Sequence, residues 1–137
     1  MSRILKFGLV GASGVLVNLA VVWLGSEWLL RGVPGRVELA VALGILVSIF
    51  TNFVLNQAWT WGDRREHLGV RAITVRLARY YILAGAGGVL QWVAAWAGRE
   101  VLGLDTLPAS ALAIAITTAA NYVGSARWVF SREHAAQ

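Results

Sequence analysis

Polar residues recur every four positions in two stretches that are otherwise hydrocarbon. Ser48, Asn52 and Asn56 share one face if their stretch is helical, with Trp59 three residues further on, and Thr117, Asn121, Ser125 and Trp128 repeat the pattern. Asn18 and Gln91 place one amide each in two further apolar stretches. Amides and hydroxyls donate and accept hydrogen bonds without a net charge, so such tracks either join helices or replace water around a hydroxyl-rich ligand. Cations stand at one end of the tracks. Arg127 follows the second track directly, and Arg3, Lys6 and Arg79 lie on the same side. Guanidinium and ammonium groups there suit a phosphate head group. Bond-breaking chemistry has no comparable set: Glu27, Glu38, Glu100 and Asp105 fall outside the polar tracks, His67 and His134 lie in loops without metal spacing, and cysteine is absent. A non-enzyme without metal or cofactor is the expectation.

The elements that must position these residues are four uncharged runs, 7–26, 39–62, 80–98 and 106–126, each close to the roughly 20 residues that cross a hydrocarbon core. Apolar residues make up 58% of the 137 and charged ones 14%, with a mean hydropathy of +0.64. Soluble domains carry about 25% charged residues, so this composition excludes an ordinary water-soluble domain. The runs lack the alternation of barrel strands, and lipid offers the backbone no hydrogen-bond partner. The expected fold is therefore all-α and integral to the membrane, with four transmembrane helices. Arg3 and Lys6 before the first run resemble a signal peptide. The run is long for that role and no small-residue cleavage site closes it, so it is read as the first span. The net charge of +5 is assigned to anionic lipid head groups, not to nucleic acid.

Basic residues sort by side. Arg3, Lys6, Arg64, Arg65, Arg71, Arg76, Arg79, Arg127 and Arg132 fall on one side, and Arg31, Arg36 and Arg99 on the other. By the positive-inside rule both termini and the connection over 63–79 are cytoplasmic, in a multi-pass membrane protein. That connection reads as a basic loop, with Leu68, Ala72 and Val75 spaced for an interfacial turn or two. Pro34 between Gly32 and Gly35 predicts a tight outer turn, and Thr106 with Pro108 predicts the capped start of the last helix. Trp28, Trp59, Trp61 and Trp128 fall at predicted interfaces and read as an aromatic belt.

The chain also repeats itself. Asn52-Phe53-Val54 lies over Asn121-Tyr122-Val123 and Trp59-Thr60-Trp61 over Trp128-Val129-Phe130, at an offset of 69; the first and third runs align at an offset of 74, Gly11 and Gly14 over Gly85 and Gly88. The halves read as two helical hairpins, about 5–62 and 80–130, in one transmembrane domain. Each has two spans, so the repeat is parallel. The glycines predict close helix packing.

The segment Asn52-Phe53-Val54-Leu55-Asn56-Gln57-Ala58-Trp59-Thr60-Trp61, with the opening Lys6-Phe7-Gly8-Leu9-Val10-Gly11 and the closing Arg127-Trp128-Val129-Phe130, resembles the GtrA-like family over nearly the whole chain. The resemblance implies a four-helix protein that moves or handles polyprenyl-phosphate-linked monosaccharides for envelope polysaccharides. The family pattern carries one or two arginines after the asparagine. Here Gln57 and Ala58 stand in the first copy and only Arg127 survives in the second, which makes Arg127 the asymmetric phosphate candidate, helped by Arg3, Lys6 and Arg79. The leading expectation is a flippase for a polyprenyl-phosphate-linked sugar. The rival is a scaffold that recruits a polyprenyl-phosphate glycosyltransferase. Four helices are thin for enclosing a route, so a homo-oligomer is expected.

Overall fold

A computed structural model describes residues 1–64 and 69–131. Those residues form four long helices and no strand: α1 (Arg3–Leu24), α2 (Arg36–Leu55), α3 (Val70–Glu100) and α4 (Thr106–Gly124). Wider π-helical turns extend three of them, over Gly25–Leu29 after α1, Asn56–Thr60 after α2 and Ser125–Val129 after α4. The chain divides into two compact units, Met1–Glu66 with α1 against α2 and His67–Gln137 with α3 against α4.

Three stretches are long and apolar enough to cross a membrane: Arg3–Leu29 (27 residues), Arg36–Thr60 (25 residues) and Thr106–Val129 (24 residues). Most of their large apolar side chains, such as Leu16, Leu19, Ile45 and Ile114, face outward. Water would penalise such a surface heavily, and lipid tails cover it without cost. The structure corrects the expected four apolar spans to three among the described residues. Helix α3 is the longest, at 31 residues. Its first third carries Arg71, Arg76 and Arg79, and Tyr80, Tyr81, Gly85, Gly87, Gly88 and Gln91 dilute the rest.

The expected loop over 63–79 is corrected too. Gly62–Arg64 forms a short 3-10 turn, but from Val70 onward the segment is already α3, continuous with the run after Tyr80. Ala72 and Val75 therefore lie on the long helix itself, while Leu68 lies outside the described residues. At the turn between α1 and α2 Gly32 (φ 90°) and Gly35 (φ 71°) supply the left-handed residues around Pro34 that the tight turn needs. Helix α4 starts one residue earlier than expected. Asp105 is the capping residue, its carbonyl accepting from the Ala109 N–H at 3.0 Å. Pro108 falls in the first turn, where a missing N–H costs no helical bond.

Inside each hairpin the same contacts recur. Phe7 meets Trp61 edge to face at 5.6 Å between centroids, and Tyr80 meets Phe130 at 6.0 Å. A Cβ on Gly25 would stand 2.9 Å from the Ala40 Cβ, and one on Gly98 would stand 3.1 Å from that of Ala109. Gly14 abuts the Asn52 amide as Gly87 abuts that of Asn121. In all three pairs the partners on the second helix of each hairpin differ by 69 and those on the first by 73. The offset of 74 expected for the first and third runs is thus wrong by one residue. In a helix that error turns the register by about 100°.

Candidate functional site

The polar tracks fall along the seams where the two helices of each hairpin meet. In the first hairpin Ser48 is buried, and its hydroxyl is spent on its own helix, donating to the Ile45 carbonyl at 2.9 Å. Asn52 is half-buried, held where Gly14 leaves room for it, and its Oδ1 is buried without a hydrogen-bond partner among the described residues. Asn18 lies one turn toward the far end, its carbonyl and Oδ1 each 3.1 Å from where a Cβ on Gly44 would stand. Gly11, Gly14, Asn18, Ser48 and Asn52 line an open groove of about 240 Å³. Asn56, below it, is fully buried.

The second hairpin places Asn121 against Gly87, where an added Cβ would come within 2.6 Å of its amide. Thr117 and Ser125 are buried, and the hydroxyl of each is without a partner among the described residues. Gln91, the counterpart of Asn18 in the corrected register, is exposed on its own hairpin, so the seam does not gather it.

The π turns then decide which aromatic faces where. The Trp61 N–H bonds to the Asn56 carbonyl at 2.9 Å and the Phe130 N–H to that of Ser125 at 2.8 Å, both five residues back. A residue five positions on thereby comes to lie over the inward track, where an ordinary helix would place the fourth. Trp61 and Phe130 are fully buried, while Trp59 and Trp128 stay exposed at 44% and 40%. Trp61 is thus core and not belt, a correction that the extra residue in the turn explains. Trp59 and Trp128 lie on the surface of their hairpins.

Beside these indoles lie the cations. Lys6 Nζ sits over the Trp59 ring at 5.6 Å and the Arg79 guanidinium over the Trp128 ring at 5.9 Å, the same pair in each copy. Arg79 also donates to the Trp128 carbonyl at 3.4 Å. Arg3 donates to both oxygens of Asp63, at 3.0 and 3.1 Å, as a half-exposed ion pair. Arg127 is exposed and makes no hydrogen bond, ion pair or ring contact among the described residues. Of the four candidate cations, Arg3 and Lys6 therefore share one rim, Arg79 stands on the other hairpin's rim, and Arg127 is exposed on that second hairpin.

Arg76 is absent from the expected site and is the most enclosed cation among the described residues. It is 1% exposed, lies over the Phe130 ring at 5.8 Å and donates to the Ser131 carbonyl at 3.3 Å. The corrected offset would have flagged it, because Arg76 follows Arg3 by 73 and Arg79 follows Lys6 by the same interval.

The fold and rim define a helical membrane domain that presents uncharged polar groups along its seams and cations at one end. Residues 6–130 match the family described as GtrA/DPMS, transmembrane domain, and the chain belongs to it. The chain is also similar to the dolichol-phosphate mannosyltransferase of Pyrococcus furiosus, 34% identical over 123 residues. That match takes in 90% of this chain and 32% of the relative, so the chain spans about a third of the relative's length.

Proposed function

We propose that the chain moves a polyprenyl-phosphate-linked monosaccharide across a bacterial plasma membrane for envelope glycosylation. One observation carries this reading: polar atoms at membrane depth, Asn52 Oδ1, Thr117 Oγ1 and Ser125 Oγ, are buried at the seams without partners among the described residues. An unmet polar atom costs about 1–3 kcal/mol, so the seams are set for a ligand or water that supplies donors and acceptors. A sugar supplies them through its hydroxyls, and its prenyl tail remains in lipid. Lys6 with Arg3 on the first hairpin, and Arg79 with Arg127 on the second, are the cations that would meet a phosphate at the cytoplasmic rims. In this reading α3 crosses as the fourth span through its uncharged run 80–98, both termini are cytoplasmic, and the nine-to-three sorting of basic residues sets the orientation. Anionic lipids meet the remaining arginines, and a homo-oligomer completes the route.

A second reading has support of its own. The relative that contains this segment is a mannosyltransferase about three times as long, which favours a domain that anchors or recruits a polyprenyl-phosphate glycosyltransferase without transporting anything. Reconstitution separates the two. The transport reading expects purified chain in proteoliposomes to move a polyprenyl-phosphate-linked sugar, with Arg127→Ala losing most of the flux and Arg127→Lys keeping part of it. Folded, correctly oriented wild-type protein that moves none would refute transport, and co-purification with a glycosyltransferase would then favour the anchor.

A further inference from the structure

The two hairpins have the same rim plan, yet their cations meet different partners among the described residues. In the second, the Arg76 guanidinium is enclosed and donates to the main chain at Ser131, and Arg79 donates to the main chain at Trp128. Main-chain carbonyls belong to the fold and cannot leave. In the first, Arg3 holds the Asp63 carboxylate, and both side chains are about two-fifths exposed. The residue 69 positions beyond Asp63 is Arg132, so the repeat does not carry the aspartate itself into the second copy.

The first rim is also open. A pocket of about 510 Å³ lies there, lined by Arg3, Lys6, Trp59, Thr60 and Asp63 among others. Lys6 faces it with no carboxylate in ion-pair distance among the described residues, its ammonium resting on the Trp59 ring. Thr60, 2% exposed, is among the lining residues, and its hydroxyl is buried behind that wall without a partner among the described residues. Helix α1 starts at the same place with no acidic residue in its first turn and no side-chain cap, so its positive end is uncompensated by its own residues. Two cations, a hydroxyl donor and a helix N-terminus converge on a space that one aspartate partly occupies.

We propose that this pocket is a phosphate-ester site in which Asp63 is the resident counter-anion, exchanged for the phosphate of the ligand. The inference rests on the function proposed above, and it concerns the rim of the first hairpin. Arg3 releases the carboxylate and turns its fork to the phosphate, Lys6 supplies the second charge, and Thr60 donates a hydrogen bond. The aspartate keeps the empty pocket neutral enough to resist the many other anions of a membrane surface. It also weakens the bound state, which favours release.

The test is equilibrium binding to the full-length chain in nanodiscs of zwitterionic lipid. One arm titrates inorganic phosphate by calorimetry; the other dopes the disc with a polyprenyl phosphate and counts bound lipid by native mass spectrometry. Asp63→Asn should bind about fivefold tighter, the scale of one exposed ion pair. Arg3→Gln and Lys6→Gln should each weaken binding by about tenfold or more, as expected on losing a charge-assisted hydrogen bond. Arg36→Gln, which removes a cation near the Pro34 turn, should change nothing. Binding in the lipid arm alone supports the site with a membrane head group as its source, and binding in both supports it with free phosphate also admitted. Binding in neither overturns it, as does Asp63→Asn that binds no tighter, or an equal loss in Arg36→Gln. The Asp63 variant predicts a gain, which misfolding cannot imitate. Phosphate binding without sugar-lipid transport would sink the proposed function and leave this site, whereas full transport after Arg3 and Lys6 are both replaced would do the reverse.

Discussion

Replacing Gly87 and Gly88 one at a time by alanine should give opposite results from neighbouring glycines in one helix. A Cβ on Gly87 would stand 2.6 Å from both terminal atoms of the Asn121 amide and 3.0 Å from its Cγ, whereas a Cβ on Gly88 meets nothing within 4 Å. Because Cγ is crowded as well as the tip, turning the amide about its last bond gives no relief. The side chain must leave its rotamer or the helices must part, which costs about 1–3 kcal/mol. Both substitutions gain the same helix propensity, up to about 1 kcal/mol, so it cancels in the comparison. Gly87→Ala should then be less stable than Gly88→Ala by about 1–3 kcal/mol, a roughly five- to 150-fold difference in the unfolding constant. Unfolding of the full chain in mixed micelles, followed by circular dichroism, measures that difference. Adding Asn121→Ala to Gly87→Ala should recover most of the loss, and the coupling energy of that cycle isolates the contact. Equal stabilities for the two single variants, or no rescue, would refute the seam and with it the 73-residue register. The first hairpin offers an independent repetition, with Gly14→Ala as the sensitive change and Gly11→Ala, whose Cβ also meets nothing, as the tolerant one.

Other perturbations follow from the same geometry. Trp61→Ala should destabilise the chain by about 3 kcal/mol because it empties a fully buried site, whereas Trp59→Ala, on the exposed side of the π turn, should cost well under half of that; similar losses would contradict the turn. Arg76→Ala should lower stability by about 1–3 kcal/mol through its lost contact with Phe130 and with the Ser131 carbonyl, while Arg71→Ala, exposed on the same helix, should stay within about 0.5 kcal/mol. Single cysteines at Ser2 and Gly35 should differ in intact cells, the second reacting with an impermeant thiol reagent and the first protected; labelling of Ser2 alone would invert the proposed orientation.

The helical, membrane-embedded class and the two polar tracks were legible in the sequence because both depend on local patterns: uncharged runs of spanning length, and polar residues four apart. The outward or inward facing of Trp59 and Trp61 was not. They are two residues apart, and which one turns inward depends on whether the backbone closes four or five residues back, as it does at Asn56. No residue type announces that wider turn, so Trp59, Trp61 and Trp128 read alike in sequence although Trp61 is core. The start of α3 was hidden for a different reason. Arginines at 71, 76 and 79 lower the hydropathy of the stretch, which then reads as a loop although arginine is a good helix former and Arg76 is buried.

The one-residue slip in the repeat has a physical origin as well. Glycine-rich stretches align almost equally well at neighbouring offsets, because a glycine carries no side chain to distinguish one register from the next; Gly88 matches Gly14 as well as Gly87 does. The partners break the tie, since only Gly87 has an asparagine pressed against it. The corrected register also changes which residues can be compared for function. At an offset of 74 Arg3 falls on Leu77 and Lys6 on Tyr80, and the rims look unrelated. At 73 both cations find cationic counterparts, and among the described residues Arg3 meets the Asp63 carboxylate while Arg76 and Arg79 donate to main-chain carbonyls. Asp63, which the repeat does not carry into the second copy, therefore makes the first rim the one on which exchange of a carboxylate for a phosphate is to be tested.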